Sequence, residues 1–182
     1  MKNKCSAISL MLKKRIIDVK DFPKKGVLFK DITPVLEDPK IFKIITDKLY
    51  DLSKQTKFDT IVSPEARGFW FGLPLAMKAS ASFIPARKPY KLPRKTISQS
   101  YELEYGGNKL EIHKDSIKPN SRVLIVDDLL ATGGTIKAIY KMVKKCKAKV
   151  VGCAFLIALK SLPGIKLIEN ELGVPCIRLV EF

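Results

Sequence analysis

Apolar residues fall along the chain in two rhythms, and their alternation predicts an α/β domain. The continuous apolar run at 123–126 and the apolar-rich segments at 58–62, 81–85, 149–159 and 175–180 predict strands, and the first is the pattern of a strand buried on both faces, the habit of a parallel sheet. Stripes at helical spacing lie between them. Ile41, Phe42, Ile45, Leu49 and Leu52 follow Asp38 and Pro39, an N-cap residue and a proline suited to the first helical position. Residues 69–78 supply a second helix, and Ile136, Ile139, Tyr140, Val143 and Cys146 share the apolar face of a third.

Three segments break these rhythms. Residues 21–36 hold two prolines and a glycine, which argues for a shaped loop rather than a regular helix. That loop also carries Phe22, Val27, Leu28, Phe29 and Ile32, so it must cover the edge of the core or a flat ligand. Residues 98–103 and 109–112 flank Glu104, Tyr105, Gly106, Gly107 and Asn108 and predict a β-hairpin with a glycine turn. Set between two parallel strands, such an excursion is placed to act as a lid. Residues 162–172 predict an irregular or helical piece, and a helix-like piece opens the organised chain near residue 12. No repeat or linker divides the pattern, and one α/β domain accounts for it.

With 182 residues and 46% apolar side chains, the chain suits a single domain with a substantial core. No apolar run nears the roughly 20 residues needed to cross a bilayer. The first ten residues have a faint signal-peptide look, but Lys13, Lys14 and Arg15 close the stretch and no cleavage site follows. Met11 is a candidate native start. Cys5, Cys146, Cys153 and Cys176 show no CxxC spacing and the last three lie in apolar segments, which points to buried reduced thiols in a cytoplasmic protein rather than disulfides or thiolate-bound metal.

The net charge of +16 suits nucleic acid, an acidic surface or a polyanionic small substrate. Lys137, Lys141, Lys144, Lys145, Lys147 and Lys149 include the polar face of the third helix. No helix-turn-helix, RNP or zinc-finger pattern accompanies them, so a solvated face is favoured over a specific nucleic-acid surface.

The chemistry concentrates after the run at 123–126. Asp127 and Asp128 end that strand on its carboxyl side, where open α/β sheets bind ligands. Thr132, Gly133, Gly134 and Thr135 then offer hydroxyls and bare backbone N–H groups at a helix N-terminus, a cradle for phosphate. Acids for sugar hydroxyls or a metal beside a phosphate cradle suit a phosphorylated ribose. A Walker A loop would need a Gly-Lys-Ser/Thr ending that is missing here. Arg67, beside Gly68 at a second strand-to-helix corner, can reach a phosphate or a base edge. Trp70 and Phe71 are assigned to helix-to-sheet packing, His113 to the surface. Arg87, Lys88, Lys91, Arg94 and Lys95 crowd a loop that grips an anion or simply faces solvent.

The run from Val123 through Ala131 to Thr135 resembles the phosphoribosyl-diphosphate (PRPP) signature of type I phosphoribosyltransferases. Together with residues 21–36, Arg67-Gly68-Phe69 with Phe71-Gly72, and Lys91-Leu92-Pro93 with 101–106, it resembles the adenine branch of that family, from about residue 15 to the C-terminus. The resemblance implies the type I fold, a mainly parallel sheet flanked by helices, with a hood over about 15–36, a flexible lid over about 88–112 and residues 1–14 as an extension. It also implies transfer of ribose 5-phosphate from PRPP to N9 of adenine, giving AMP and pyrophosphate, in a homodimer that uses Mg2+. On that basis Ala131, Thr132, Gly133, Gly134 and Thr135 hold the 5-phosphate. Asp127 and Asp128 take the ribose hydroxyls, with Mg2+ nearby through PRPP and water. Arg67, Arg87, Lys88 and Lys91 meet pyrophosphate. Leu28 and Phe29 cover adenine, with Arg67 at its edge, while Glu104 is the general acid/base for the purine N7 proton and Tyr105 belongs to the lid. A non-proline cis peptide is implied at Glu65-Ala66, where the family commonly shows Asp-Ser.

Overall fold

The computed structural model describes residues 2–103 and 106–182, with side chains at 7–101 and 108–182. Helix α1 (Lys2–Arg15) contains the helix-like piece expected near residue 12 and starts earlier than that pattern indicated. Leu12, near its end, is fully buried.

The expectation of a loop over 21–36 is corrected. Strands β1 (Ile17–Lys20) and β2 (Leu28–Asp31) pair antiparallel, with Lys20 opposite Leu28 and Ile17 opposite Asp31. The breaking residues fall in the connections. A cis Phe22–Pro23 bond and Gly26 at φ 87° shape the turn between the strands, and the Asp21 carboxylate accepts from the Gly26 N–H at 2.6 Å. Pro34 lies in the first turn of the short α2 (Thr33–Leu36). Helix α3 (Pro39–Ser53) begins as expected: the Asp38 carboxylate accepts from the N–H groups of Lys40 and Ile41 at 3.0 and 3.2 Å, satisfying donors that an N-terminus leaves unpaired.

The α/β core then follows. Strand β3 (Thr60–Pro64), helix α4 (Arg67–Ala79) and strand β4 (Ser82–Ala86) lead into an antiparallel hairpin, β5 (Thr96–Leu103) and β6 (Gly106–His113). Strand β7 (Arg122–Leu130), helix α5 (Gly134–Lys145) and strand β8 (Lys149–Ala158) come next. The short α6 (Gly164–Lys166) and a π-helical turn (Leu167–Glu171) precede β9 (Cys176–Glu181). Five strands form one parallel sheet in the order β4-β3-β7-β8-β9.

Alternation along β7 builds a core on each face of this sheet. Val123 and Ile125 pack with Ile136, Ile139 and Val143 of α5 and with Leu110 and Ile112 of β6. Leu124 and Val126 point the other way, into a layer with Leu12, Ile45, Leu49, Phe71 and Leu75. A glycine sets how closely α4 lies on β3: a Cβ at Gly72 would stand 2.0 Å from the Ser63 hydroxyl oxygen. From β3 the chain steps through α4 to β4 on one side, and from β7 through α5 to β8 on the other. The strand order reverses between β3 and β7, and a crevice opens outside the carboxyl ends of strands at such a point. Among the described residues, no helix is long and apolar enough to cross a membrane.

Candidate active site

Two strand ends meet in that crevice. Strand β7 does not stop at its acids, as the sequence pattern implied; it continues through Asp127 and Asp128 to Leu130 because β8 goes on pairing alongside, with Asp127 opposite Phe155 and Leu130 opposite Ala158. Asp128 is buried and Asp127 half-buried. Asp127 Oδ1 accepts the Asp128 N–H at 2.8 Å. Burial, reinforced by the charge of Asp128, pushes the Asp127 carboxyl well above the usual carboxylate range. Beyond Leu130, Gly133 takes a left-handed conformation at φ 88° as it opens α5. The loop from Ala131 to Thr135 thus lies at a helix N-terminus, as anticipated. From β5, Tyr101 comes near Thr135, and burial raises its phenol above the usual value.

At the end of β3, the Glu65–Ala66 peptide is cis and α4 starts at Arg67. A Cβ at Gly68 would stand 2.9 Å from Pro64 Cδ and 3.0 Å from Asp127 Oδ1, so a glycine is needed to bring the two strand ends this close. Arg67 joins the two corners. Its Nε lies 3.1 Å from Asp128 Oδ2, an ion pair without hydrogen-bond geometry that leaves this buried oxygen with no hydrogen-bond partner among the described residues. The guanidinium also sits 4.9 Å from the centre of the Phe29 ring, within cation–π range.

A cavity of about 290 Å³ runs from the β1–β2 hairpin to the glycine loop. The expected Leu28, Phe29 and Arg67 line it together with Ala131 and Thr132, so base-facing and phosphate-facing candidates share one space. Val27, one of the apolar residues expected to cover the core or a flat ligand, lines it too, while sequence reasoning missed Lys30, Leu129, Leu159 and Leu162 in the same wall. Leu159 follows directly on β8, and its place at the carboxyl end of a parallel strand was the available signal. On the other side of Phe29, a second cavity of about 340 Å³ is lined by Phe22, Asp31, Arg67 and Trp70 among others. Phe71 is buried as anticipated, whereas Trp70 is 42% exposed because it sits on the outer side of α4.

The cationic loop is less converged. Arg87 is held by Glu65 at 2.8 Å and donates to the Lys91 carbonyl at 3.1 Å. The side chains of Lys88 and Lys91 are exposed, and neither lines the cavity. Glu104 and Tyr105 lie outside the described residues. His113 is half-buried rather than on the surface: strand pairing at the end of β6 draws it in and leaves its Nδ1 buried without a hydrogen-bond partner among the described residues. Cys146, Cys153 and Cys176 are free and buried.

An acid pair and a glycine loop at the switch point of a parallel sheet, with an apolar pocket alongside, define a phosphoribosyl-transfer domain. Residues 31–166 match the model of the phosphoribosyl transferase domain family. The adenine phosphoribosyltransferase of Mycoplasmoides gallisepticum is 56% identical over 160 residues, covering 87% of this chain and 90% of that protein. The crystal structure of the adenine phosphoribosyltransferase from Thermoanaerobacter pseudethanolicus superposes with a TM-score of 0.91 at 49% identity, over 95% of this chain and 99% of that one. The Trypanosoma brucei adenine phosphoribosyltransferase, crystallised with AMP, pyrophosphate and ribose 5-phosphate, gives a TM-score of 0.86 at 27% identity, over 96% and 79%. Within the phosphoribosyl-transfer class, the chain belongs to the adenine phosphoribosyltransferase family.

Proposed function

We propose that this protein transfers the ribose 5-phosphate of PRPP to N9 of adenine, releasing pyrophosphate and giving AMP, a purine-salvage reaction. The observation that carries this proposal is the shared cavity, in which Leu28, Phe29 and Arg67 face the same space as Ala131 and Thr132. A planar base stacked on Phe29 and a 5-phosphate on the glycine loop then hold the reacting carbon between them. Such positioning is a large part of the rate advantage in transfer reactions.

In the proposed reaction the N9 lone pair attacks C1 as the C1–oxygen bond to pyrophosphate breaks, and the N7 proton passes to Glu104. The residues from Ala131 to Thr135 hold the 5-phosphate. The Asp128 Oδ2 that lacks a hydrogen-bond partner accepts a ribose hydroxyl, with Asp127 beside it. Arg67, Arg87, Lys88 and Lys91 meet the departing pyrophosphate as the lid over about 88–112 closes and excludes water. The hood, residues about 15–36, covers the base, and residues 1–14 precede it as an N-terminal extension whose Leu12 packs into the core.

The acid pair also fits a Mg2+ held through PRPP and water. Mg2+ keeps several waters and takes one or two carboxylates plus substrate phosphates, and two carboxylates with one unsatisfied oxygen meet that need. When bound, the ion would stabilise charge on the leaving pyrophosphate.

The outer side of α4 supports a homodimer. Trp70, Leu73 and Met77 are 42%, 47% and 75% exposed, an apolar row suited to an isologous contact. A cytoplasmic location rests on buried free thiols. The deciding assay is pyrophosphate release from PRPP and Mg2+ with adenine, hypoxanthine, guanine or xanthine. Turnover with adenine alone is expected. Glu104→Ala should lower it by about 10²- to 10⁴-fold with PRPP binding retained, and Asp127→Asn/Asp128→Asn should abolish it. Turnover with an oxopurine instead would overturn the base assignment.

A further inference from the structure

The segment after β8 touches two parts of the site at once. Its first residues, Leu159 and Leu162, form a wall of the cavity. Two residues later, the Gly164 N–H donates to the Ala131 carbonyl at 3.0 Å. Gly164 therefore lies directly beneath the loop assigned to the 5-phosphate.

No larger residue fits there. A Cβ at Gly164 would stand 2.3 Å from the Ala131 carbonyl oxygen and 2.8 and 2.9 Å from the Cδ1 and Cγ of Leu130. The contact is reciprocal: a Cβ at Gly133 would meet the Leu167 side chain at 3.3 Å and the Gly164 Cα at 3.4 Å. Two glycines thus bring the backbones of two loops together, with the side chain of Leu167 beside them. The backbone of Gly164 is not in the left-handed region, so closeness rather than conformation requires its lack of a side chain.

We propose that Gly164 is a positioning residue for the phosphate of the substrate. It sets the height of the Ala131–Thr135 loop against the base wall formed by Leu159 and Leu162, and so fixes the distance between bound base and bound 5-phosphate. This rests on the phosphoribosyltransferase function proposed above.

Moving a Cβ from 2.3 Å to the edge of ordinary contact at 3.4 Å displaces the loop by about 1 Å, and a misplacement of about that size costs on the order of 10²-fold in rate. The test measures PRPP and AMP affinity by calorimetry, steady-state constants and thermal midpoints for the wild type, Gly164→Ala and Leu167→Ala. Gly164→Ala should weaken PRPP and AMP by roughly 10- to 100-fold while the KM for adenine at saturating PRPP changes less than about threefold. Leu167→Ala inserts no atom against the loop and removes only a half-buried side chain at the edge of the core. By freeing Gly133 it should weaken PRPP by about 3- to 10-fold, and it decides the question if Gly164→Ala does not fold. A fall in thermal midpoint with wild-type PRPP affinity in the folded variants would overturn the proposal, leaving Gly164 a packing residue. A wild-type protein that binds neither PRPP nor AMP would instead overturn the phosphoribosyltransferase function, and this inference with it.

Discussion

Replacing Arg67 with Met keeps the aliphatic stem and removes the charge that joins the two strand ends. Asp128 is then left buried without its counter-charge, its side chain only 5% exposed against 34% for that of Arg67. Breaking a buried pair by removing one partner costs about 3–5 kcal/mol. Because Arg67 is a third exposed, solvent screening favours the low end, about 3 kcal/mol. Loss of the cation–π contact with Phe29, at 4.9 Å, adds about 0.5–1 kcal/mol. For a chain of this size each kcal/mol shifts the melting temperature by about 2–4 °C, so Arg67→Met should melt roughly 7–16 °C below wild type.

The deficit should also depend on pH. Arg67 opposes the rise in the Asp127 carboxyl, so without it Asp127 takes up its proton at a higher pH. A carboxyl whose folded value lies above its unfolded one binds more protons folded than unfolded, and stability is regained as pH falls through that folded value. Calorimetric melts at about pH 7.5 and about pH 5.5 should therefore show a smaller deficit at the lower pH. Adding Asp128→Asn to Arg67→Met should restore part of the loss. An Arg67→Met variant melting within about 2 °C of wild type at neutral pH, or a double variant no more stable than the single one, would refute the ion pair as the link between β3 and β7.

Other substitutions separate stability from function. Asp127→Asn removes a carboxyl that burial holds well above its usual range; each unit of that rise costs the folded, ionised protein about 1.4 kcal/mol. The variant should melt higher than wild type at pH 8, by a margin that closes toward pH 5, while its PRPP turnover falls; equal melting across that range would contradict the assignment. Gly72→Ala places a Cβ 2.0 Å from the Ser63 oxygen and should cost about 1–3 kcal/mol in urea unfolding, with part regained on adding Ser63→Ala. Burial holds the Cys176 thiol up at about 11 and Cys153 higher still, so in a Cys5→Ser background neither should react with a disulfide reagent at pH 8 until the protein is unfolded. Rapid reaction of both in the native protein would show that β8 and β9 open far more readily than their burial implies.

Much of the fold and part of the site are local properties of the chain, and these were legible without coordinates. The apolar runs of β7 and β8 could only be strands covered on both faces. The cap at Asp38 marked the start of α3, and the acid pair followed by the glycine loop marked the ligand-binding end of β7. Where local reasoning failed, pairing partners were the cause. Residues 21–36 looked like loop because their breakers were visible and their strand partner, 17–20, was not. Trp70 and Phe71 are neighbours of similar character, yet only the direction in which α4 lies on the sheet separates an exposed ring from a buried one.

The sequence by itself determined the strands of the central sheet, the helices between them and which residue types carry the chemistry, because periodicity and loop composition are set over a few neighbouring residues. Only the tertiary structure decided what those residues face. The order β4-β3-β7-β8-β9 brings Arg67 to Asp128, places Leu159 and Leu162 across the cavity from Phe29, and seats Gly164 under Ala131. Each of these is a contact between segments far apart in the chain, fixed by strand pairing and by how closely two backbones can approach.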